Sequence, residues 1–391
     1  MIKIVTIIGA RPQIIKAAAL SRAIKNNFAN SITEIIVHTG QHYDSSMSSV
    51  FFEELAIPQP NYNLNVGSGS HGKQTATMIA GIEEILEKEK PNCLVVYGDT
   101  NSTLAGAVAA SKIHIPIVHI EAGLRSFNKS MPEEVNRILC DHVSTLLFSP
   151  TKAGYSNLLQ EGFKENNLSA ASSDHPKIYH CGDVMYDNSL HFATVAEQKT
   201  TVMNDLKLEK NNFVLATIHR NNNTDETSRL SSIFNAFNEL SQHHKITFVV
   251  PLHPRTAKLL EQNLDAAVYQ TLIKNSLVKI IEPVSFLEMT ALEKNAKLIV
   301  TDSGGVQKEA FFFEKPCVIL RAQTEWVELV ECGAARLADA DLIKIKTAFN
   351  HFIDHTELKF PPIFGDGKAA EFICKEMLAV FQESTIVTSL I

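Results

Sequence analysis

The chain has 391 residues, 45% of them hydrophobic and 20% charged, which is enough for two or three domains with separate cores. The formal net charge of −7 argues against nonspecific nucleic-acid binding, and no apolar run approaches the ~20 residues that span a bilayer. The six cysteines contain no C-x-x-C pair, which favours free thiols in a reducing cytoplasm and argues against a zinc site.

Short apolar runs rich in β-branched residues alternate with longer helical patterns. Strands are predicted at residues 3–8, 34–38, 94–97, 115–120 and 146–148, and a second series at 177–180, 213–218, 247–250, 278–281, 298–301 and 317–320. Helices are predicted at residues 12–25, 74–88, 100–112, 132–143, 230–242, 306–313 and 369–381. The strand runs do not alternate with polar residues, as expected for parallel strands covered on both faces, so the repeated βα units predict doubly wound sheets.

Eleven predicted strands are many for one sheet of this kind. The polar stretch SAASSDHP at residues 169–176 is the best candidate for a linker. It predicts an α/β domain over residues 1–172 and a second, Rossmann-like one over 173–365. Ligands of such sheets bind beyond the carboxyl ends of the strands, so we expect a site in the cleft between the two domains.

Two segments join a strand to a helix in a way that suits an anion. In GARPQIIK, Pro12 fits the first helical turn, Gly9 permits a tight turn, and Arg11 and Lys16 add positive charge. This segment is equally compatible with a helix start carrying two solvated cations. The segment TDSGGVQKEA repeats the arrangement, and its polar and glycine residues can either hold a phosphate or simply cap the helix: Ser303, Gly304 and Gly305.

Three carboxylates follow predicted strands or open a helix. Asp99 could be an N-cap and Glu133 a partner of the helix dipole, but Glu121 closes an apolar strand and needs a partner, for which Arg125 and Arg137 are available. Carboxylates that converge near an anion site indicate proton transfer.

Two histidines also end apolar runs, each beside an arginine. A single histidine of this kind is more often a structural hydrogen-bonding group, but His219 and His253 occupy equivalent strand ends, which favours a site. Neither has a partner at metal-ligand spacing, so no metal is expected.

Seven segments together resemble the non-hydrolysing UDP-N-acetylglucosamine 2-epimerases. GARPQIIK, VYGDTNST, HIEAGLRS, MPEEVNR, TIHR, PLHPR and TDSGGVQKEA occur in that family's order, and the resemblance extends from about residue 2 to residue 380. It implies a glycosyltransferase-B fold with two Rossmann-like domains and a C-terminal helix, residues 366–385, that packs back on the first domain. It further implies a UDP-sugar substrate, a homodimer, and no metal or other cofactor.

The resemblance also implies roles for individual residues. The catalytic positions of the family correspond to Asp99, Glu121, Glu133 and His219. The positions that bind the UDP-sugar correspond to Arg11, Lys16, Arg137, His253, Ser303, Gly304, Gly305, Glu309 and Arg321, with Ser303 at phosphate and Glu309 at ribose. The family's route eliminates UDP to give a 2-acetamidoglucal and then adds UDP back, which requires acid–base groups on both faces of C2. Which carboxylate serves which face stays open.

The chain departs from the family pattern in several places. QHYDSSMS at residues 41–48 replaces the segment that helps several members bind a second, activating UDP-GlcNAc, and Gln13 stands where a glutamate is common. QHYD, FFEEL, RSFN and TEWVE are more similar to epimerases of UDP-2,3-diacetamido-glucuronic acid, for which Arg125 or Lys129 could bind the C6 carboxylate. The alternatives are a hydrolysing epimerase, a glycosyltransferase of the same fold, and a non-enzymatic UDP-sugar sensor.

Overall fold

The computed structural model describes residues 1–41, 57–165, 170–252, 260–354 and 357–388. The chain forms two compact units. One comprises Met1–Asn188 together with Pro362–Ile391, and the other comprises Ser189–Pro361. Each unit contains one parallel sheet with helices packed on it, so the predicted pair of doubly wound α/β sheets is confirmed.

The sheet of the first unit has seven described strands in the order β3-β2-β1-β4-β5-β6-β7. Their bounds are Ile2–Ile8 (β1), Ile32–His38 (β2), Tyr62–Asn63 (β3), Cys93–Tyr97 (β4), Ile117–Ile120 (β5), Leu146–Ser149 (β6) and Lys177–His180 (β7). The described helices of this unit include Arg11–Ala23, the π-helix Ile24–Phe28, His71–Glu89, Asn101–Lys112, Pro132–Val143, Lys152–Gln160 and Ala369–Thr388. A further helix, Val184–Lys199, contains the boundary between the units.

The sheet of the second unit has six described strands in the order β10-β9-β8-β11-β12-β13. Their bounds are Phe213–Thr217 (β8), Thr247–Pro251 (β9), Val278–Ile281 (β10), Leu298–Thr301 (β11), Cys317–Ile319 (β12) and Ala335–Leu337 (β13). Its helices include Val202–Asp205, Asn221–Thr224, Thr227–His244, Ala266–Lys274, Phe286–Asn295, Gly304–Phe312, Val327–Glu331 and Leu342–Asp354.

One predicted strand belongs to a different sheet from the one expected. Lys177–His180 follows the expected linker, yet it pairs with β6 through Leu146↔Lys177 to Ser149↔His180 and ends the first sheet. The division between the compact units therefore falls after Asn188, beyond the expected position 172. The short strands Tyr62–Asn63 and Ala335–Leu337 were not predicted, because two or three residues at a sheet edge carry no periodic signal.

Both sheets have the strand order 3-2-1-4-5-6 of a dinucleotide-type fold, with one extra strand on the first. The order reverses between β1 and β4 in the first unit and between β8 and β11 in the second. Beyond the carboxyl ends of these strand pairs the connecting loops diverge, which leaves a crevice where ligands of such sheets bind. Ligand-binding side chains are therefore expected after residues 8 and 97 in the first unit and after residues 217 and 301 in the second.

The C-terminal helix belongs to the first unit. Asp187 accepts hydrogen bonds from the backbone amides of Ala369 (3.1 Å) and Ala370 (2.8 Å), and thereby satisfies amide groups that the first helical turn leaves open. Glu371 accepts a hydrogen bond of 3.0 Å from Asn27. In the part of the chain that the structure describes, no helix is both long and apolar enough to cross a membrane.

Candidate active site

A cavity of about 440 Å³ lies at the strand reversal of the first unit. Its walls include Arg11 and Pro12 from the start of the helix after β1, Asp99 from the loop after β4, Asn101 from the start of the helix that follows, and Glu133 from the helix Pro132–Val143. Three segments that were singled out from the sequence, GARPQIIK, VYGDTNST and MPEEVNR, thus meet around one cavity.

The loop after β1 packs so tightly that only glycine fits at its first position. A Cβ on Gly9 would lie 2.1 Å from Thr39 Oγ1 and 2.2 Å from Ser102 Oγ. These two hydroxyls are themselves 2.8 Å apart, and Ser102 also donates to Gln41 Oε1 (2.7 Å). The close contact fixes the start of the helix Arg11–Ala23, and with it the position of Arg11, against the helix Asn101–Lys112.

Gln13 has a structural role. Its side chain is 1% exposed, and its Nε2 donates to the Tyr97 carbonyl (3.1 Å) and to Thr103 Oγ1 (3.0 Å). Its Oε1 accepts a hydrogen bond of 3.2 Å from the Ala10 amide, as the third residue of a capping box does. A glutamate at this position would bring no donor for the Tyr97 carbonyl, so the neutral amide matches its surroundings in this chain.

Lys16 is the partner of Glu121. The Lys16 Nζ lies 2.7 Å from Glu121 Oε1, and the two side chains are 11% and 12% exposed. The expectation that Arg125 or Arg137 would pair with Glu121 was wrong, because β1 lies beside β4 and brings the helix that follows β1 next to the end of β5. A Cβ on Gly98 would lie 3.1 Å from Lys16 Nζ, so a glycine makes room for the ammonium group.

Arg137 bridges two carboxylates. It contacts Asp99 Oδ2 through one terminal nitrogen, and its other terminal nitrogen lies 2.6 Å from Glu134 Oε2. Burial lowers the pKa of Arg137, but the neighbouring charges of Asp99 and Glu134 raise it overall. The Asp99 carbonyl also accepts a hydrogen bond of 2.9 Å from Asn136, so the backbone and the side chain of Asp99 are both held by the helix Pro132–Val143.

The two adjacent glutamates of MPEEVNR have different surroundings. Glu133 is exposed and lines the cavity, whereas Glu134 is 1% exposed and accepts hydrogen bonds from the Ser126 amide (2.9 Å), the Phe127 amide (2.9 Å) and Arg137 (2.6 Å). Burial raises the pKa of Glu134, but the hydrogen bonds from Ser126 and Arg137 lower it overall. Glu134 therefore anchors the loop before the helix, and Glu133 faces the open side.

Arg125 is unsuited to the suggested contact with a substrate carboxylate. Its side chain is 1% exposed and lies 2.7 Å from Asp141 Oδ2, and it donates to both oxygens of Glu161 at 2.7 and 2.6 Å. Burial lowers its pKa, but the hydrogen bond to Glu161 and the charge of Asp141 raise it overall. Lys129, the other candidate, is exposed.

In the second unit, Asp302 organises the strand reversal. This fully buried carboxylate accepts hydrogen bonds from the amides of His219 (3.2 Å) and Arg220 (3.1 Å) and from Asn223 Nδ2 (3.1 Å). The His219 Nδ1 lies 3.3 Å from the same carboxylate, while the side chain stays 58% exposed. Asp302 thus connects the loop after β8 to the loop after β11, and the His219 side chain remains accessible to solvent.

The helix Gly304–Phe312 begins at this reversal. Ser303 is its N-cap and accepts a hydrogen bond of 3.5 Å from the Val306 amide. Arg321 follows β12, and its NH1 lies 2.8 Å from Glu325 Oε2. A Cβ on Gly304 would lie 2.3 Å from Glu325 Oε1. Arg321 and Glu325 therefore lie against the first residue of this helix, which carries partial positive charge.

Glu309 has a buried carboxyl group next to it. Glu293 is 2% exposed on the neighbouring helix Phe286–Asn295. Burial, together with the charge of Glu309 and a hydrogen bond to it, raises the pKa of Glu293 well above its ordinary value. Glu293 therefore keeps its proton to a higher pH than an exposed glutamate does. His253 lies outside the described residues, among which no cluster of three or more metal-ligating side chains occurs.

Several residues that shape these loops were not predicted individually: Asn101, Asn136, Glu134, Asp302 and Glu325. All of them lie inside the quoted segments, so membership of those segments was a usable signal. Their partners come from other strands, which a local pattern does not reveal.

The two parallel sheets, each with polar side chains at its strand reversal, define a protein of the glycosyltransferase-B-like α/β class. The solved structures that resemble the chain belong to the same class. The family model described as UDP-N-acetylglucosamine 2-epimerase matches residues 24–378. The chain belongs to this family.

Individual relatives agree. A UDP-2,3-diacetamido-2,3-dideoxy-D-glucuronate 2-epimerase from Pseudomonas aeruginosa is 49% identical over 95% of this chain and 99% of its own. A UDP-N-acetylglucosamine 2-epimerase homolog from Methanococcus maripaludis is 49% identical over 94% of this chain and 97% of its own. The crystal structure of Methanocaldococcus jannaschii UDP-GlcNAc 2-epimerase in complex with UDP-GlcNAc and UDP has a TM-score of 0.79 at 42% identity, over 96% of this chain and 99% of that chain.

Proposed function

We propose that this chain is an isomerase that inverts C2 of a UDP-N-acetylhexosamine-type sugar nucleotide without hydrolysing it. The substrate is UDP-GlcNAc, giving UDP-ManNAc, or the 2,3-diacetamido glucuronate equivalent. The observation that carries the proposal is the cavity at the first strand reversal, where Asp99, Glu133 and Arg11 converge and where Glu121 and Lys16 form a largely buried pair close by. Family membership agrees with it.

The chemistry explains why several carboxylates are required. The C2 proton of such a sugar is not adjacent to a carbonyl group, so it becomes acidic only as C1 turns cation-like. The C1–oxygen bond breaks with its electron pair on UDP, a carboxylate removes the C2 proton, and the C–H electron pair forms the C1=C2 bond of a 2-acetamidoglucal. A proton then reaches C2 on the opposite face while a diphosphate oxygen re-forms the bond to C1.

Each residue of the proposed site has a role in this reaction. Two of Asp99, Glu121 and Glu133 act as the acid–base groups on the two faces, each typically worth about 10²–10⁴-fold in rate. Arg11, Lys16, His219 and Arg321 stabilise the charge on the departing diphosphate. The hydroxyl and amide groups at the start of the helix Gly304–Phe312 bind phosphate, with Ser303, Gly304 and Gly305 as the contacts, and Glu309 accepts hydrogen bonds from ribose. Arg137 orients Asp99, and His253 completes the UDP site.

Incubation of the purified chain with each candidate substrate in heavy water tests the proposal. We expect deuterium at C2 of both epimers, because the proton that is returned comes from exchangeable groups. Absence of deuterium from C2 with both substrates contradicts an epimerase. Free UDP that accumulates together with free sugar supports the hydrolysing alternative, and transfer to an added acceptor supports a glycosyltransferase.

A competition between the two nucleotide sugars in the same vessel identifies the substrate. Faster turnover of the diacetamido uronate assigns the chain to that subgroup, and equal or faster turnover of UDP-GlcNAc assigns it to the other. Because Arg125 is engaged with Asp141 and Glu161, discrimination through the C6 carboxylate then rests on another cation, for which Lys129 is the remaining candidate.

The proposal also includes a homodimer in the cytoplasm, with a role in cell-surface polysaccharide synthesis. All six cysteines are free thiols, which suits a reducing compartment. Light scattering on the purified chain measures the oligomeric state directly.

A further inference from the structure

His119 is a fully buried histidine that the proposed mechanism does not use. It lies in β5, two residues before Glu121, and its side chain is 0% exposed. Its Nδ1 lies 2.7 Å from Asp141 Oδ1, and its Nε2 lies 2.7 Å from the Gly98 carbonyl oxygen. Both ring nitrogens therefore make short polar contacts, and neither contact reaches solvent.

The identity of these two partners determines the protonation state of the ring. A backbone carbonyl only accepts, so Nε2 carries a hydrogen. Asp141 is ionised, because its other oxygen lies 2.7 Å from Arg125 and accepts a hydrogen bond of 3.1 Å from the Gly123 amide. An ionised carboxylate also only accepts, so Nδ1 carries a hydrogen as well. His119 is consequently the imidazolium cation.

The charges around His119 balance. Burial raises the pKa of Asp141, but the charge and hydrogen bond of His119 and those of Arg125 lower it overall, so the carboxylate stays ionised. Two cations, His119 and Arg125, thus face two anions, Asp141 and Glu161. The neighbouring Cys140 is a neutral thiol, since burial and the charges of Asp141 and Asp99 raise its pKa well above its ordinary value. His142 lies 3.6 Å from Glu161 at the exposed edge.

The contact with Gly98 connects this pair to the active site. Gly98 makes two hydrogen bonds to β5: its amide donates to the Ile120 carbonyl (2.9 Å), and its carbonyl accepts from the His119 ring. Its φ of +62° is a turn conformation that glycine adopts readily. The Gly98 carbonyl belongs to the peptide group that joins Gly98 to Asp99, and Asp99 lines the cavity. The orientation of the Gly98 carbonyl therefore sets the direction in which Asp99 leaves the strand.

We infer that His119 is a positioning residue for Asp99: held as an imidazolium by Asp141, it fixes the Gly98–Asp99 peptide through the Gly98 carbonyl. The effect of His119 on turnover rests on the proposed function. The two ring hydrogens of His119 and their two acceptors, Asp141 and the Gly98 carbonyl, do not depend on it.

Nitrogen-15 NMR of the histidine-labelled chain tests the structural content without reference to turnover. We expect one-bond N–H correlations from both ring nitrogens of His119 at neutral pH, assigned through nuclear Overhauser contacts to the Gly98 α-protons. A ring nitrogen without a hydrogen overturns the inference. In Asp141→Asn the anion is gone, so we expect the Nδ1 hydrogen to be lost while the Nε2 hydrogen stays.

Kinetics test the positioning role. His119→Phe keeps a ring but removes both donors, and we expect kcat to fall roughly 10²-fold with KM unchanged, as for a small misplacement of a reacting group. Asp141→Asn leaves the donor to Gly98 in place, so its kcat should fall much less. The exposed His175→Gln serves as the control. If His119→Phe folds and keeps wild-type kcat, the positioning role is refuted; if the wild type itself does not epimerise, the proposed function fails instead.

Discussion

The Lys16 ammonium and the Glu121 carboxylate lie 2.7 Å apart, although 105 residues separate them in the chain. Glu121 reaches this position in a left-handed backbone conformation, with φ at +72°, which is uncommon for a residue with a Cβ. Conformations of this kind cluster at functional sites, where the surrounding structure holds them in place. Here the amide of Glu121 donates to the Phe148 carbonyl at 3.0 Å, which fixes the turn to β6.

Glu121→Gln removes the charge and one acid–base group while it keeps the shape of the side chain. We expect kcat to fall by about 10²–10⁴-fold, the typical worth of one such group. The measurement is turnover together with deuterium incorporation at C2. Glu84→Gln, which changes an exposed carboxylate on the helix His71–Glu89, should leave both unchanged. Wild-type turnover in Glu121→Gln would exclude Glu121 from proton transfer.

The adjacent glutamates should separate activity from stability. Glu133→Gln changes an exposed cavity residue, so we expect lost turnover but a free energy of unfolding within about 0.5 kcal/mol of wild type. Glu134→Gln weakens charged hydrogen bonds from Ser126, Phe127 and Arg137, so we expect about 1.5–3 kcal/mol of destabilisation in urea.

The destabilisation caused by Glu134→Gln should depend on pH, because the pKa of Glu134 is lowered in the folded state. A carboxyl whose pKa is lower in the folded state contributes stability above its unfolded value, ordinarily 4.5, and loses it as the pH falls through the folded value. The difference between wild type and Glu134→Gln should therefore be full at neutral pH and shrink below pH 4.5. A difference that grows on acidification would contradict this account.

Gln13→Glu tests why this chain carries an amide at a buried position. The carboxylate would face the Tyr97 carbonyl without a donor, so we expect about 1–3 kcal/mol of destabilisation at neutral pH. Burial raises the pKa of such a group in the folded state, so the variant should be relatively more stable at acidic pH and lose stability as the pH rises. Gln242→Glu, an exposed change on the helix Thr227–His244, is the matched control. Equal stability of Gln13→Glu and wild type at neutral pH would refute the structural role.

Glu325→Gln tests the charge at the start of the helix Gly304–Phe312. Glu325 lies 2.8 Å from Arg321 and against Gly304, where we propose that phosphate binds, so its charge opposes an incoming anion. We expect the Kd for UDP to fall about two- to fivefold, as for removal of one exposed charge near a helix end. Calorimetry with UDP measures it, and Glu331→Gln at the end of the next helix is the control. Weaker UDP binding would mean that Glu325 orients Arg321 productively.

Much of the fold could be predicted because its signals are local. The strands Val278–Ile281 and Leu298–Thr301 and the helix Pro132–Val143 were predicted with the bounds that the structure has. Short runs rich in β-branched residues and Pro132 at a helix start are signals that depend only on neighbouring residues. The edge strand Tyr62–Asn63 was missed and Lys177–His180 was placed in the wrong sheet, because pairing partners are chosen across the fold.

The candidate site divides in the same way. The sequence by itself determined the residue types at the strand ends, including Asp99, Glu121, Glu133 and His219, and their order along the chain, which is what the family resemblance depends on. Only the tertiary structure decided the partners: Lys16 for Glu121, Asp141 and Glu161 for Arg125, and the burial that separates Glu134 from Glu133. The physical reason is that β1 lies between β2 and β4, and crossover connections bring together side chains about a hundred residues apart in the sequence, whose contacts no local pattern encodes.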